Sequence, residues 1–293
     1  MKTARSPIRY PGGKGKAIRF LDAYLPSWLD RGVCSPFAGG LNFELYIASR
    51  GTPVHAYDIY KPLLALWKEL KSGNRAELLA AVKQYLPMDK QKFHDIKANL
   101  DKLSGTELAA AFYVLSRTAH SGNTSNGGYV EGRLTEGNLR KLEKFVMPAN
   151  LHVEEAPFWE SIPLHPELAL YLDPPYLLKE KLDSKMSKGL YGSKGSTHND
   201  FDHLKLKELL DKRDNWIMSY DNHPEIIDLY RDYFIFYPSW QYGMTTERSG
   251  KSREILIVSS HVVIDMRDNF QEGWTDFIRD NCTFPKDHPL LRI

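Results

Sequence analysis

The chain has 293 residues, 42% of them hydrophobic, and 39 Lys and Arg against 37 Asp and Glu give a formal net charge of +2. That is apolar material for one large domain or a domain with an insert, while so balanced a charge does not by itself announce a polyanionic partner. No apolar run approaches the ~18 residues of a membrane span, no hydrophobic signal segment opens the chain, and two cysteines, Cys34 and Cys282, are too few for a disulfide framework or a sulfur-ligated zinc.

The expected setting is therefore cytoplasmic. The ten histidines include no His-Glu-x-x-His helix, so no metal site is expected.

Gly12-Gly13-Lys14-Gly15-Lys16 introduces a helix that runs to Leu25 and stops at Pro26, and Val33 to Phe37 reads as a short buried strand. Gly39-Gly40 turns the chain into a helix from Leu41 to Arg50, closed by Gly51. A second strand from Val54 to Tyr57 reaches Asp58, and an apolar helix follows from Pro62 to Leu70. Strand, glycine turn, helix, strand and acid is the opening of a doubly wound α/β sheet.

Between about Gly73 and Pro148 the period becomes helical, with Leu78, Leu79 and Val82, then Phe93, Ile96 and Leu100, then Leu108, Ala111, Phe112 and Leu115. Ser121 to Gly137 is rich in Gly, Asn, Ser and Thr and reads as a hairpin or a long functional loop. This region is taken as an insertion, residues 73–148, into a domain made of 1–72 and 149–293. Strands resume at Leu151 to Glu154 and Leu168 to Leu172, and a helix from Phe201 to Leu210 starts behind Asn199-Asp200 as cap. Trp216 to Tyr220, Tyr233 to Tyr237 and Glu254 to Val258 are further strands, the last two antiparallel because only a loop separates them. No internal repeat is visible, and the polar, proline-containing stretch after His261 points to no element.

Two places carry chemistry. Pro36-Phe37-Ala38-Gly39-Gly40 lets backbone approach a ligand at the end of the first strand. Asp58, nineteen residues beyond Gly39, has the spacing of an acid that reaches ribose hydroxyls. Nicotinamide and S-adenosylmethionine binders share that geometry. However, Gly39-Gly40-Leu41-Asn42-Phe43-Glu44 lacks the Gly-x-Gly-x-x-Gly cradle for a pyrophosphate. Gly12-Gly13-Lys14 is not a phosphate loop either, since Gly-x-x-x-x-Gly-Lys-Ser/Thr is absent. A lysine on such a turn can meet the carboxylate of a methionine moiety.

The second place is Asp173-Pro174-Pro175-Tyr176 at the end of Leu168 to Leu172. The exocyclic amine of a nucleobase is conjugated to its ring and attacks a methyl donor poorly. The Asp173 carboxylate and the Pro174 carbonyl can accept its two N–H hydrogens and aim its lone pair, while Tyr176 stacks on the base. The plainer reading is a strand end with a proline stop. From Leu177 to Lys194 five lysines face Glu180 and Asp183, either a solvated loop or a segment for phosphates.

With these segments in order, the chain resembles the Dam-like DNA adenine N6-methyltransferases. Arg9-Tyr10-Pro-Gly-Gly13-Lys14 is similar to that family's Trp/Tyr-x-Gly-Gly-Lys element, Pro36 to Gly40 to its Pro-Phe-x-Gly-x-Gly motif, and Tyr57-Asp58-Ile59 to its ribose-binding segment. Asp173 to Tyr176 match its catalytic tetrapeptide. Ile217 to Asn222 and Arg253 to Ile257 resemble two later strands. The resemblance runs from about Pro7 to Ser260. It implies a Rossmann-like, mostly parallel α/β sheet with an antiparallel C-terminal strand and an inserted, mainly helical target-recognition domain. It further implies methyl transfer from S-adenosylmethionine to N6 of an adenine flipped out of DNA.

By the same resemblance Tyr10, Gly13, Lys14, Phe37, Gly39, Gly40, Asp58, Ile59, Phe158 and Asp173 line the cofactor pocket, and Asp173, Pro174, Pro175 and Tyr176 hold the base. Arg9, Arg117, Asn123, Arg133, Lys185, Lys188 and Tyr191 face DNA. For Arg117 and Arg133 the plain alternative is surface charge without a partner. The resemblance also allows a cognate restriction enzyme as partner and a bacterial or phage-encoded origin. Ser35 stands where an acid is usual and Leu41 where a third glycine is usual, which puts a cofactor hydrogen bond and the turn in question. Thr118 to Ser125 lacks the loop pattern of GATC-specific members, so that specificity is not carried over. Three alternatives stay open: cytosine N4 methylation, an NAD-dependent oxidoreductase, and a non-catalytic DNA-binding module.

Overall fold

The computed structural model of the protein describes residues 5–21, 25, 29, 31–176, 201–238, 254–269 and 273–284. In chain order the main elements are a 3-10 turn Lys14–Lys16, α1 Ile18–Leu21, β1 Val33–Ser35, α2 Asn42–Ser49, β2 Val54–Asp58, α3 Lys61–Ser72, α4 Arg75–Gln84, α5 Lys90–Asn99, α6 Gly105–Thr118, α7 Glu136–Lys144, β3 Leu151–Glu155, α8 Phe158–Leu164, β4 Ala169–Leu172, α9 His203–Leu210, β5 Trp216–Asp221, α10 Pro224–Leu229, β6 Phe234–Phe236, β7 Glu254–Val258, α11 Ser260–Asn269, α12 Trp274–Asn281 and β8 Cys282–Thr283. The chain divides into two compact units, Met1–Ile18 with Ala38–Pro157 and Arg19–Phe37 with Phe158–Ile293. The class is mixed α/β, as expected.

In the first unit β2 and β3 pair in parallel, from Val54 opposite Leu151 to Asp58 opposite Glu155. Helix α3 buries Leu63, Leu66, Trp67 and Leu70, one stripe at helical spacing, and ends on Gly73 in the left-handed region (φ 86°). That stripe packs on α6, which is buried throughout from Ala109 to Ser116 because α3, α4 and α5 all lie against it. A helix so enclosed can be apolar on every side. Thr135 and Asn138 form a capping box at the start of α7. Lys71 fixes the approach to β3 by donating to the carbonyls of Pro148, Ala149 and Leu151. The helical stretch expected over 73–148 is therefore four α-helices.

In the second unit the strand order is β1-β4-β5-β7-β6-β8. β1, β4 and β5 run parallel, whereas β7 lies between β5 and β6 and runs against both. The antiparallel relation expected for the last two strands holds. β8, paired antiparallel to β6, adds a second reversed strand. Every residue of β1, β4 and β7 is buried, the burial that produces unbroken apolar runs in sequence. Trp216 is fully buried and donates through Nε1 to the carbonyls of Leu210 and Arg213, so the turn before β5 has no unsatisfied indole.

Several boundaries differ from expectation. β1 ends at Ser35 rather than Phe37, because the chain turns at Pro36, which lacks the N–H to continue a ladder. The cap of α9 is Asp202, whose carboxylate accepts from Lys205 N at 2.9 Å, in place of Asn199-Asp200, which lie outside the described residues. In the expected helix up to Leu25 only the 3-10 turn and α1 are described. α8, α10, α11 and α12 are additional helices, the last two in the stretch after His261 from which no element is expected.

Candidate functional site

The first unit holds the glycine turn. Gly39 has φ 45°, and a Cβ there would lie 3.1 Å from Tyr10 Cε1; one on Gly40 would lie 2.9 Å from Tyr10 Cβ, and one on Gly13 2.8 Å from Asn42 Nδ2. The three glycines thus make room for the Tyr10 ring and the Asn42 amide, and Asn42 was not foreseen as a member of this cluster. Lys14 is buried and donates through Nζ to the Gly12 carbonyl at 3.1 Å. Leu41, where a third glycine is usual, adopts the left-handed conformation itself (φ 54°, ψ 26°) and caps α2. That geometry costs roughly 1–2 kcal/mol for a residue with a Cβ. The Leu41 side chain is buried, which returns about as much or more, so the turn keeps its form without the glycine.

Asp58 ties β2 to this turn. Its Oδ2 accepts from Gly39 N at 2.9 Å, and its Oδ1 accepts from Ile59 N at 2.8 Å and Tyr60 N at 2.9 Å. Trp67 Nε1 donates to the Gly39 carbonyl at 3.1 Å, bracing the turn from the other side. Burial pushes the Asp58 carboxyl up, opposed by the three backbone donors. The nineteen-residue spacing is therefore also a direct hydrogen bond. Ile59 is 51% exposed beside it, an apolar surface left open.

Three of this unit's guanidiniums, Arg9, Arg117 and Arg133, act on one another electrostatically. Gly122 (φ 74°) sits so close to Arg9 that a Cβ would be 2.5 Å from the Arg9 carbonyl oxygen. The loop after α6 can approach Arg9 only because it has a glycine there. Arg117 is half-buried, its Nε has no hydrogen-bond partner among the described residues, and its pKa is lowered by burial and by the charges of Arg9 and Arg133. Asn123 turns its Oδ1 to the N–H groups of Ser125 and Asn126, which shapes the loop. Ala119 and Tyr129 bridge its two arms. Lys185, Lys188 and Tyr191 lie outside the described residues.

The second unit holds the tetrapeptide. Asp173 to Tyr176 follow directly on β4, with Pro174 buried and Asp173, Pro175 and Tyr176 half-exposed. Tyr176 Oη lies 3.1 Å from Asp173 Oδ1 and 3.0 Å from Glu254 Oε1, at the start of β7. The Tyr176 and Tyr220 rings lie 5.1 Å apart. Tyr220 Oη donates to the Pro175 carbonyl at 3.0 Å, and with its one hydrogen placed there it accepts from His203 Nδ1 at 3.0 Å. His203 is buried, and that burial pushes its pKa down to about 4, so the ring is neutral near pH 7. Phe37, Phe158 and Phe201 form a three-ring cluster with centroids 5.1–5.8 Å apart. Phe37 remains half-exposed.

Glu254, Tyr220, His203 and Phe201 were not foreseen as site residues. The sequence signal was that Tyr220 lies near the end of one strand and Glu254 at the start of another; the two strands pair antiparallel, and the first also pairs with β4. Among the described residues no group of three or more His, Cys, Asp or Glu is placed to hold a metal, and no helix is long and apolar enough to cross a membrane.

Against known families, the model for "D12 class N6 adenine-specific DNA methyltransferase" matches residues 10–244. That span takes in the glycine turn, Asp58, the helices of 73–148 and Asp173 to Tyr176, and ends before Glu254. No curated protein matches the chain.

Proposed function

The chain belongs to the D12 class N6 adenine-specific DNA methyltransferase family and is an enzyme that methylates the N6 amine of adenine in DNA; from that premise we propose that S-adenosylmethionine is its methyl donor and that Asp173 to Tyr176 hold the reacting base. The residues present fit such a donor. In the first unit Gly39 and Gly40 carry no side chain of their own beside the Tyr10 ring, Asp58 keeps a lone-pair site on Oδ2 beyond its three backbone bonds, and Ile59 offers an exposed apolar face. Tyr10, Gly13, Lys14, Gly39, Gly40, Asp58 and Ile59 would hold the methionine and ribose parts. In the second unit the Phe37 and Phe158 rings offer aromatic surface and Asp173 a carboxylate. When bound, the donor supplies a methyl group on a positively charged sulfur.

The chain's own residues do the rest. The Asp173 carboxylate and the Pro174 carbonyl accept the two amine hydrogens, which localises the nitrogen lone pair and fixes its direction. The base must leave the duplex to reach a strand end, at a cost of about a few kcal/mol, and stacking on Tyr176 recovers roughly 1–3 kcal/mol. Residues 73–148 serve as the target-recognition domain of a catalytic domain made of 1–72 and 149–293. Arg9, Arg117, Asn123 and Arg133, with Lys185, Lys188 and Tyr191, contact the nucleic acid. The observation that carries this reading is the intact Asp173-Pro174-Pro175-Tyr176 set at the carboxyl end of a buried parallel strand.

The test is Asp173→Ala. Tritium transfer from S-adenosylmethionine into DNA is expected to fall by about 10²-fold or more, while donor affinity measured by calorimetry changes only a few-fold. Transfer at the wild-type rate would remove Asp173 from the mechanism.

A further inference from the structure

The hydroxyl of Tyr176 lies within reach of two carboxylates, Asp173 Oδ1 at 3.1 Å and Glu254 Oε1 at 3.0 Å. A phenol has one hydrogen and an ionised carboxylate has none to give, so only one of these contacts can be a full hydrogen bond at a time. The Pro175 carbonyl and the Tyr176 ring are held in place by one neighbour. The Pro175 carbonyl is held by Tyr220, whose ring also lies against Tyr176, and Tyr220 is backed by neutral His203. The choice between acceptors is left to rotation of the hydroxyl.

The choice matters because of what Asp173 must do. A phenol donating to Oδ1 drains negative charge from the carboxylate that has to accept an amine hydrogen. A phenol donating to Glu254 leaves that charge for the base. Glu254 is buried at the first position of β7, on a strand buried at every residue, so its carboxylate is delivered by the sheet rather than by a loop. It also lies beyond the residues matched by the family model.

We propose that Glu254 is a positioning residue that takes the Tyr176 hydroxyl hydrogen and so keeps Asp173 a full-strength acceptor for the adenine amine. This rests on Asp173 accepting that amine. Glu254 itself touches no reacting atom and acts through the phenol.

A double-mutant cycle separates this role from a merely structural one. Glu254→Ala removes one of the two carboxylates within reach of the hydroxyl and shifts it toward Asp173, and single-turnover methyl transfer is expected to fall about tenfold with little change in KM for DNA. In the Tyr176→Phe background there is no hydroxyl to misplace, so the same Glu254→Ala change is expected to alter the rate less than about twofold. Glu254→Gln, whose amide can donate to the phenol oxygen and send its hydrogen to Asp173, is expected to follow Glu254→Ala in both backgrounds, and it serves where the alanine variant does not fold. Equal losses in the two backgrounds, or a wild-type rate for Glu254→Gln, would overturn the proposal. An Asp173→Ala control run alongside distinguishes the failures. If that control retains turnover, the reading of Asp173 falls and takes the proposal with it; if it is inactive and the cycle is additive, the role of Glu254 alone is wrong.

Discussion

The glycine turn of the first unit and the tetrapeptide of the second solve different problems with different material. Around Gly13, Gly39 and Gly40 the site is made by leaving side chains out, and the one conspicuous acid, Asp58, gives much of its bonding capacity to three backbone N–H groups. Around Asp173 the site is made by adding side chains, with Tyr176, Glu254, Tyr220 and His203 linked hydroxyl to carboxylate, carbonyl and imidazole. A region built from main chain accepts an added side chain only where there is room to bury it, as at Leu41. A region built from side chains is tuned by where single protons sit.

The comparison can be broken from the main-chain side first. Gly122→Ala adds a Cβ that would sit 2.5 Å from the Arg9 carbonyl oxygen, at a φ of 74°. A loss of about 2–4 kcal/mol in unfolding free energy is expected from urea melts. A neutral result would mean that the loop after α6 adjusts freely and does not fix Arg9.

From the side-chain side, the handle is pH. His203 has its folded pKa pushed down to about 4 from an ordinary 6.5 by burial. Below pH 6.5 the unfolded chain binds a proton that the folded chain refuses, so stability is complete above that value, falls as pH drops and levels off below about 4. The whole loss is at most about 3 kcal/mol. His203→Gln is expected to flatten this part of the stability profile, and an unchanged slope would assign it to other groups.

Asp58→Ala tests the first unit again, more mildly. It strands the N–H groups of Gly39, Ile59 and Tyr60 where water can partly replace the carboxylate, and about 1–3 kcal/mol of stability should go, together with donor affinity in a calorimetric titration. Asp58→Asn, which keeps one acceptor oxygen, should lose less than Asp58→Ala; the reverse order would contradict a bracing role. The smallest effect is expected from exposed Arg133. Arg133→Ala should lower the slope of log affinity against log salt by about 1 if the side chain meets a phosphate, and an unchanged slope would leave it as plain surface charge.

The same contrast sets how much could be read from the chain itself. Apolar runs such as Leu170 to Leu172 and Ile255 to Val258 announced their strands because they are buried on both faces, and Gly39 to Asp58 was legible because spacing there is nearly geometry. Leu41 showed the limit of motif reading, since its burial compensates a backbone conformation that favours glycine. The missed helices are short or interrupted: α8 carries Pro163, and α10 opens on Pro224 and has six residues. α11 did have a signal in Val262, Val263 and Met266 at helical spacing, diluted by polar neighbours. The Tyr176–Glu254 link spans 78 residues. It depends on β7 lying between β5 and β6, an arrangement that no local pattern encodes.

The central claim, adenine N6 methylation by the Asp173 to Tyr176 set, is tested most directly by nucleoside mass spectrometry of DNA incubated with S-adenosylmethionine and either the wild-type enzyme or Asp173→Ala. N6-methyladenine should form with the wild type alone. N4-methylcytosine as the product, or equal N6-methyladenine from both proteins, would contradict it.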